Sequence, residues 1–145
     1  MAQVNASALQ GKAEDVDDAK ETVAMINDVY DHKTLAYVDI AKAQVKAGNI
    51  ADARKTLYQA KEAAVMISKG APRAYHSGIP KIDAYMSIAR VQAVAGDVAE
   101  AKETAALISE DSYKQQTYGD IAAIQANAGD MAGAKETAAL ISDNY

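Results

Sequence analysis

The sequence predicts an all-α fold assembled from repeated helix pairs, and three observations carry that expectation. Fifteen residues recur almost unchanged, as AGDVAEAKETAALIS from Ala95 to Ser109 and as AGDMAGAKETAALIS from Ala128 to Ser142, 33 positions apart. Alanine is the commonest residue; it is the strongest helix former, and its small side chain lets helices approach closely. The two prolines, Pro72 and Pro80, fall in one short stretch and leave the rest of the chain free of the strongest helix breaker.

The repeat gives the order of elements. A four-residue signature stands at Ala19–Thr22 (AKET), Ala53–Thr56 (ARKT), Ala101–Thr104 (AKET) and Ala134–Thr137 (AKET), in steps of 34, 48 and 33 residues. Upstream of the last three, YVDIAKAQVKAGN (Tyr37–Asn49), YMSIARVQAVAGD (Tyr85–Asp97) and YGDIAAIQANAGD (Tyr118–Asp130) also align. Each unit is therefore a first helix, a tight turn and a second helix. Gly48, Gly96 and Gly129 stand where a helix C-terminus needs a positive φ, which glycine adopts without a Cβ penalty. Asn49, Asp97 and Asp130 follow as N-caps of the second helices, and Asp97 with Glu100 reads as a capping box. Tyr85, Ile88 and Gln92 share one helical face, so the Tyr column reads as packing. Gln44, Gln92 and Gln125 are expected to form a polar ladder between adjacent first helices, because a buried amide needs partners.

The units run from about 1 to 31, 32 to 68, 81 to 111 and 112 to 145, in one domain spanning residues 1–145. A globular unit of this length buries roughly 68–70% of the surface its unfolded chain exposes, enough for a core without staples. The first unit keeps only its second helix clearly, from about Val16 to Tyr30, and residues 1–13 match a first helix weakly, as a worn cap. The last second helix is expected from about Met131 to Ser142. Its Leu140 and Ile141 would be covered by a further repeat, which makes this end a candidate for self-association.

The second unit breaks the period. Aligning AVMIS (Ala64–Ser68) with AALIS (Ala105–Ser109) places seven extra residues inside its second helix, about two turns, which preserves the buried face. Eight more fall in the connection, an inserted loop at 69–80 in which Gly70, Pro72, Gly78 and Pro80 oppose regular structure. Lys69, Arg73 and Lys81 make the stretch basic, Tyr75 and His76 carry its rings, and it contains no acid. Long loops on repeat scaffolds often hold recognition residues, so these five are partner-binding candidates beside the reading of a tolerated surface insertion.

A period of 33 to 34 residues with two helices per unit is that of an α-solenoid, whose pairs bury their apolar faces by stacking on neighbours. The chain resembles the tetratricopeptide repeat family over residues 16–145. Tyr37, Tyr85 and Tyr118 stand where that motif has its large aromatic, Ile40, Ile88 and Ile121 where it has Leu, and Ala41, Ala89 and Ala122 at its small position. Ala53, Ala101 and Ala134 match its second-helix Ala. Gln44, Gln92 and Gln125 replace its usual Tyr, and the closing Pro is missing from every unit, so the likeness is degenerate. The resemblance implies a short right-handed superhelix of antiparallel helix pairs, whose first helices line a concave face that binds another protein or peptide. Lys42, Lys46, Arg90 and Asn127 are the candidates on that face.

Composition narrows the function. Fifteen Lys and Arg against twenty Asp and Glu give a net charge of −5, which repels a phosphate backbone, so no nucleic-acid partner is expected. The absence of cysteine excludes disulfides and thiolate metal sites. Of the two histidines, His32 lies beside Asp28 and Asp31, yet neither histidine has a second His or Cys ligand at helical spacing, and no metal is expected. Each Ala-Gly-Asp or Ala-Gly-Asn is accounted for by a turn, which leaves no phosphate loop. Paired acids such as Asp17/Asp18 and Glu110/Asp111 lie near helix starts, where they complement the helix dipole. No acid, base and nucleophile converge, so neither catalysis nor a cofactor is expected. No apolar run approaches a membrane span, and the first residues lack a signal-peptide pattern, so the expectation is a cytoplasmic protein, or a periplasmic one if the chain is a mature fragment. The expected function is a non-catalytic protein-interaction scaffold. The alternative is a structural subunit of a larger complex or an end-to-end homo-oligomer.

Overall fold

A computed structural model describes residues 16–25, 32–67 and 80–141, and every regular element among them is helical. Helix α1 covers residues 16–24. It is followed by α2 (His32–Lys46), α3 (Ile50–Val65), α4 (Pro80–Val94), α5 (Val98–Ala106), α6 (Asp111–Asn127) and α7 (Met131–Ala138). Helices α2 and α3, α4 and α5, and α6 and α7 pack as pairs. Between pairs, α4 lies against both α2 and α3, and α6 against both α4 and α5. Helix α4 is thus enclosed by four neighbours, and nine of its fifteen residues are buried.

The turns within the pairs are copies of one another, for a reason visible in the backbone. Gly48, Gly96 and Gly129 have φ of 81°, 88° and 91°, a region open to glycine. Each glycine N–H donates to the carbonyl three residues back, and the following Asn49, Asp97 or Asp130 N–H donates to the carbonyl of Gln44, Gln92 or Gln125, each at 2.9 Å. This is the Schellman arrangement, which satisfies the carbonyls a helix end leaves open. The same Asn or Asp then accepts from Ala53, Ala101 or Ala134 with its own carbonyl and so opens the second helix. Only Asp130 also caps with its side chain, accepting from the Gly133 N–H at 2.9 Å. The capping box expected of Asp97 and Glu100 does not form, because both carboxylates turn outward to cations on α3.

The second helices end alike. Their last turns tighten into bonds from Ile67 to Ala64, Ile108 to Ala105 and Ile141 to Ala138, which turns each isoleucine back toward its unit. Helix α7 therefore stops at Ala138, short of the expected Ser142, and the Ile141 Cδ1 faces Gly119 of α6. Pro80 opens α4 instead of breaking it: the first helical position needs no N–H donor. Loop residues 69–79, the expected first helix at 1–13 and residues 142–145 lie outside the described residues.

Most of the buried apolar side chains fall into two clusters. Val38, Leu57, Ile82, Tyr85, Ile88 and Ile108 form one cluster with Val23 of α1. Ala89, Ala93, Ala101, Ala105 and Ile121 form a second, in which alanines allow the helices close approach. Tyr37, Tyr85, Ile88, Ala89 and Ala101 are buried as expected, whereas Tyr118, Ile40 and Ala122 of the same columns are only half-buried.

The Gln column behaves differently from the expected ladder. Gln92 accepts from the Thr104 hydroxyl at 2.7 Å, and Gln125 accepts from Thr137, so each bond closes a first helix onto its own partner helix. The residues are twelve apart in both cases. In the α2–α3 pair the equivalent bond is missing: Thr56 donates back to the Asp52 carbonyl, and the buried Gln44 Oε1 has no hydrogen-bond partner.

Candidate functional site

Helix α3 has sixteen residues where α5 has nine, and the difference is the seven-residue insertion at 57–63. The helical face is kept across it: Ala53, Thr56, Ala60, Ala64 and Ile67 are all buried, like Ala101, Thr104, Ala105 and Ile108 in the regular pair. The two added turns extend the buried face with Leu57 and Ala60 and carry Tyr58, Lys61 and Glu62 outward. With Arg54, Leu57 and Val65 these outward side chains form one wall of a cleft of about 520 Å³. The opposite wall is the start of α5, with Asp97, Glu100 and Glu103, and Gln92 of α4 also lines the space.

Two ion pairs cross the cleft. Arg54 meets Asp97 at 3.5 Å, and Lys61 meets Glu100 at 3.7 Å. Pairs this exposed contribute less than about 1 kcal/mol each. Their clearer effect is on charge. Two cations face four carboxylates (Glu62, Asp97, Glu100 and Glu103), which leaves a balance of −2 along the cleft. Glu62 and Glu103 form no ion pair among the described residues. Tyr58 is 65% exposed, and Val65 of the same wall is exposed as well. An exposed aromatic beside an aliphatic side chain and acids gives this wall both apolar and charged contacts for a partner. Behind the wall, Glu62 also acts on the core: burial first, and then the Glu62 charge, raise the Tyr37 phenol above its ordinary value.

The residues expected to line the first-helix face fall in a different setting. Arg90 donates from Nε to Asp120 at 2.7 Å and pairs with it through Nη2 at 2.7 Å, which ties α4 to α6. Lys42 lies 4.0 Å from Asp39 on its own helix, and Lys46 and Asn127 are exposed near the ends of theirs. Lys81, the second residue of α4, donates to the Val65 carbonyl at 3.3 Å, so it links the far end of α3 to the next pair. Lys69, Arg73, Tyr75 and His76 lie outside the described residues, as do Asp28 and Asp31 beside the exposed His32. Leu140 is 48% exposed, and Ile141 is half-buried.

Sequence reasoning located the insertion but did not read its outer face. The signal was present: the regular units pass from the signature Thr straight to AALIS, whereas the second unit inserts LYQAKEA before AVMIS, placing Tyr58, Lys61 and Glu62 outward. Among the described residues no group of His, Asp and Glu is placed to hold a metal ion, and no helix is long and apolar enough to cross a membrane. Comparison with protein-family models, with curated proteins and with solved structures gave no match.

Proposed function

We propose that this chain is a non-catalytic protein-interaction scaffold, a short tetratricopeptide-like right-handed superhelix whose lengthened unit makes the contact. One observation carries the reading. The insertion in α3 adds Tyr58, the exposed aromatic ring among the described residues, and one wall of a charged cleft that the regular pairs lack the length to form. The first-helix face supports recognition less well, since Arg90 is occupied by Asp120 and Lys42 lies near Asp39. Aromatic residues are enriched among the contacts that dominate interfaces, which makes Tyr58 the anchor to test. Co-precipitation from the native source with the wild-type chain, followed by mass spectrometry, should identify a partner. Tyr58→Ala with Val65→Ala should abolish its capture, whereas Lys42→Ala with Lys46→Ala should leave it intact. The reverse pattern would return the contact to the first-helix face. The loop residues Lys69, Arg73, Tyr75 and His76 follow α3 in sequence and are the next substitutions to make.

A second reading, end-on self-association, has its own observation. Tyr118, Ala122 and Ile141 are half-buried, whereas their counterparts Tyr85, Ala89 and Ile108 are 6%, 0% and 1% exposed because α6 covers the preceding pair. A similar helix would fit on α6 and α7. Leu140→Lys should then abolish any concentration-dependent growth in mass seen by sedimentation. A wild-type chain that stays monomeric at high concentration removes this reading.

A further inference from the structure

Within one cleft wall, Tyr58, Glu62 and Val65 follow each other at spacings of four and three, so ring, carboxylate and aliphatic side chain share one helical stripe. Across from them stands Glu103 of α5. Arg54 and Lys61 are already matched by Asp97 and Glu100, which leaves the remaining carboxylates as the local charge. At physiological ionic strength screening acts over about 8 Å, so charges lining one cleft are felt together by whatever enters it. An anionic segment would meet this balance of −2 unfavourably. A cationic one would gain the two carboxylates and, over the exposed ring of Tyr58, a cation–π contact. The space of about 520 Å³ is within the roughly 300–1,000 Å³ of ligand-sized clefts.

We propose that the cleft between α3 and α5 receives a segment of a partner protein in which an arginine or lysine stands beside an apolar residue. The cation sits between Glu62, Glu103 and the Tyr58 ring, and the apolar neighbour covers Val65. This partner chemistry rests on the scaffold reading above and specifies it. The test uses the full chain and a heptapeptide of alternating Leu and Arg, with matched peptides in which Glu or Gln replaces Arg. Binding is followed by amide chemical-shift changes and fluorescence anisotropy.

The Leu/Arg peptide should shift the signals of Tyr58, Glu62 and Glu103. Glu62→Gln with Glu103→Gln should weaken it about tenfold, as two exposed charge contacts allow. Tyr58→Ala should weaken it up to about fivefold. These side chains are exposed, so the variants should melt like the wild type, and melting is checked in parallel. Equal binding of the Glu peptide, no binding of the Leu/Arg peptide, an affinity unchanged by the double Gln variant, or shifts confined to Arg90 and Asp120 would each overturn the proposal. If the partner chemistry fails in this way while Tyr58→Ala with Val65→Ala still abolishes partner capture, the scaffold reading stands alone. If capture also survives those substitutions, the cleft has no role in it.

Discussion

The α2–α3 and α4–α5 pairs begin from the same plan and diverge after the signature threonine. Both have the Ala-Gly-Asx turn, the same buried alanine at Ala53 or Ala101, and a terminal isoleucine folded back at Ile67 or Ile108. In the regular pair Thr104 closes onto Gln92, and the second helix ends after nine residues. In the lengthened pair Thr56 turns back to its own helix, Gln44 loses its acceptor's partner, and α3 runs two further turns. An insertion of seven residues leaves the inner face in register because it is close to two whole turns. The lesson is that such an insertion can add outward side chains to a helix while its buried face simply grows longer, here by Leu57 and Ala60.

The largest effects should appear where the two pairs are alike. Ala53 and Ala101 are both fully buried at close helix contacts. Ala53→Glu and Ala101→Glu should each destabilise by several kcal/mol, since a carboxylate there is forced into a contact with no partner. Tyr58→Glu, on the outer face of the insertion, should change stability by less than about 0.5 kcal/mol. Denaturant melts of the three variants measure this, and a mild Ala101→Glu would remove that residue from the core.

A smaller effect should separate the pairs. Thr104→Val leaves the buried Gln92 oxygen without its donor and should cost about 1–3 kcal/mol. Thr56→Val removes only a bond within one helix and should cost less than about 1 kcal/mol. Equal losses in the two variants would mean that the Thr–Gln closure contributes nothing beyond the local bond.

The smallest difference concerns alkaline pH. Burial raises the phenols of both Tyr37 and Tyr85, and Glu62 adds to the rise only at Tyr37. A raised folded-state value means that the fold prefers the neutral phenol. The associated stability is therefore fully present below about pH 10 and is lost as pH climbs through the folded-state values. Glu62→Gln should lower the titration midpoint of Tyr37 and leave that of Tyr85 in place, as read by the ring signals of each tyrosine. A Tyr85 midpoint that moves equally would show that the effect does not come through the insertion.

Much of the fold was legible because its determinants are local. Glycine at a positive φ and the capping carbonyls are set by three or four consecutive residues, so Gly48, Gly96 and Gly129 could be placed from sequence alone. The length of the insertion followed from comparing two stretches of the same chain. What escaped depends on neighbours distant in sequence. Whether Asp97 caps its own helix or meets Arg54, 43 positions earlier, is decided by how the pairs lie together. The same holds for Arg90, whose partner Asp120 is on another helix, and for Gln92, which met a threonine on its own second helix rather than a glutamine next door. The cleft was missed for this reason too. One wall was visible as the insertion, but the other belongs to α5.

Excising residues 57–63 tests the link between insertion and recognition most directly, because it converts α3 into a nine-residue helix like α5 while leaving Ala53, Thr56, Ala64 and Ile67 in register. It also removes the buried Leu57 and Ala60, so a lower melting midpoint is expected. Melting and partner capture are measured on the same preparation. A chain that still melts cooperatively but no longer captures the partner is the expected result. Capture at the wild-type level by a chain that has lost both turns, and with them Tyr58, Lys61 and Glu62, would contradict it.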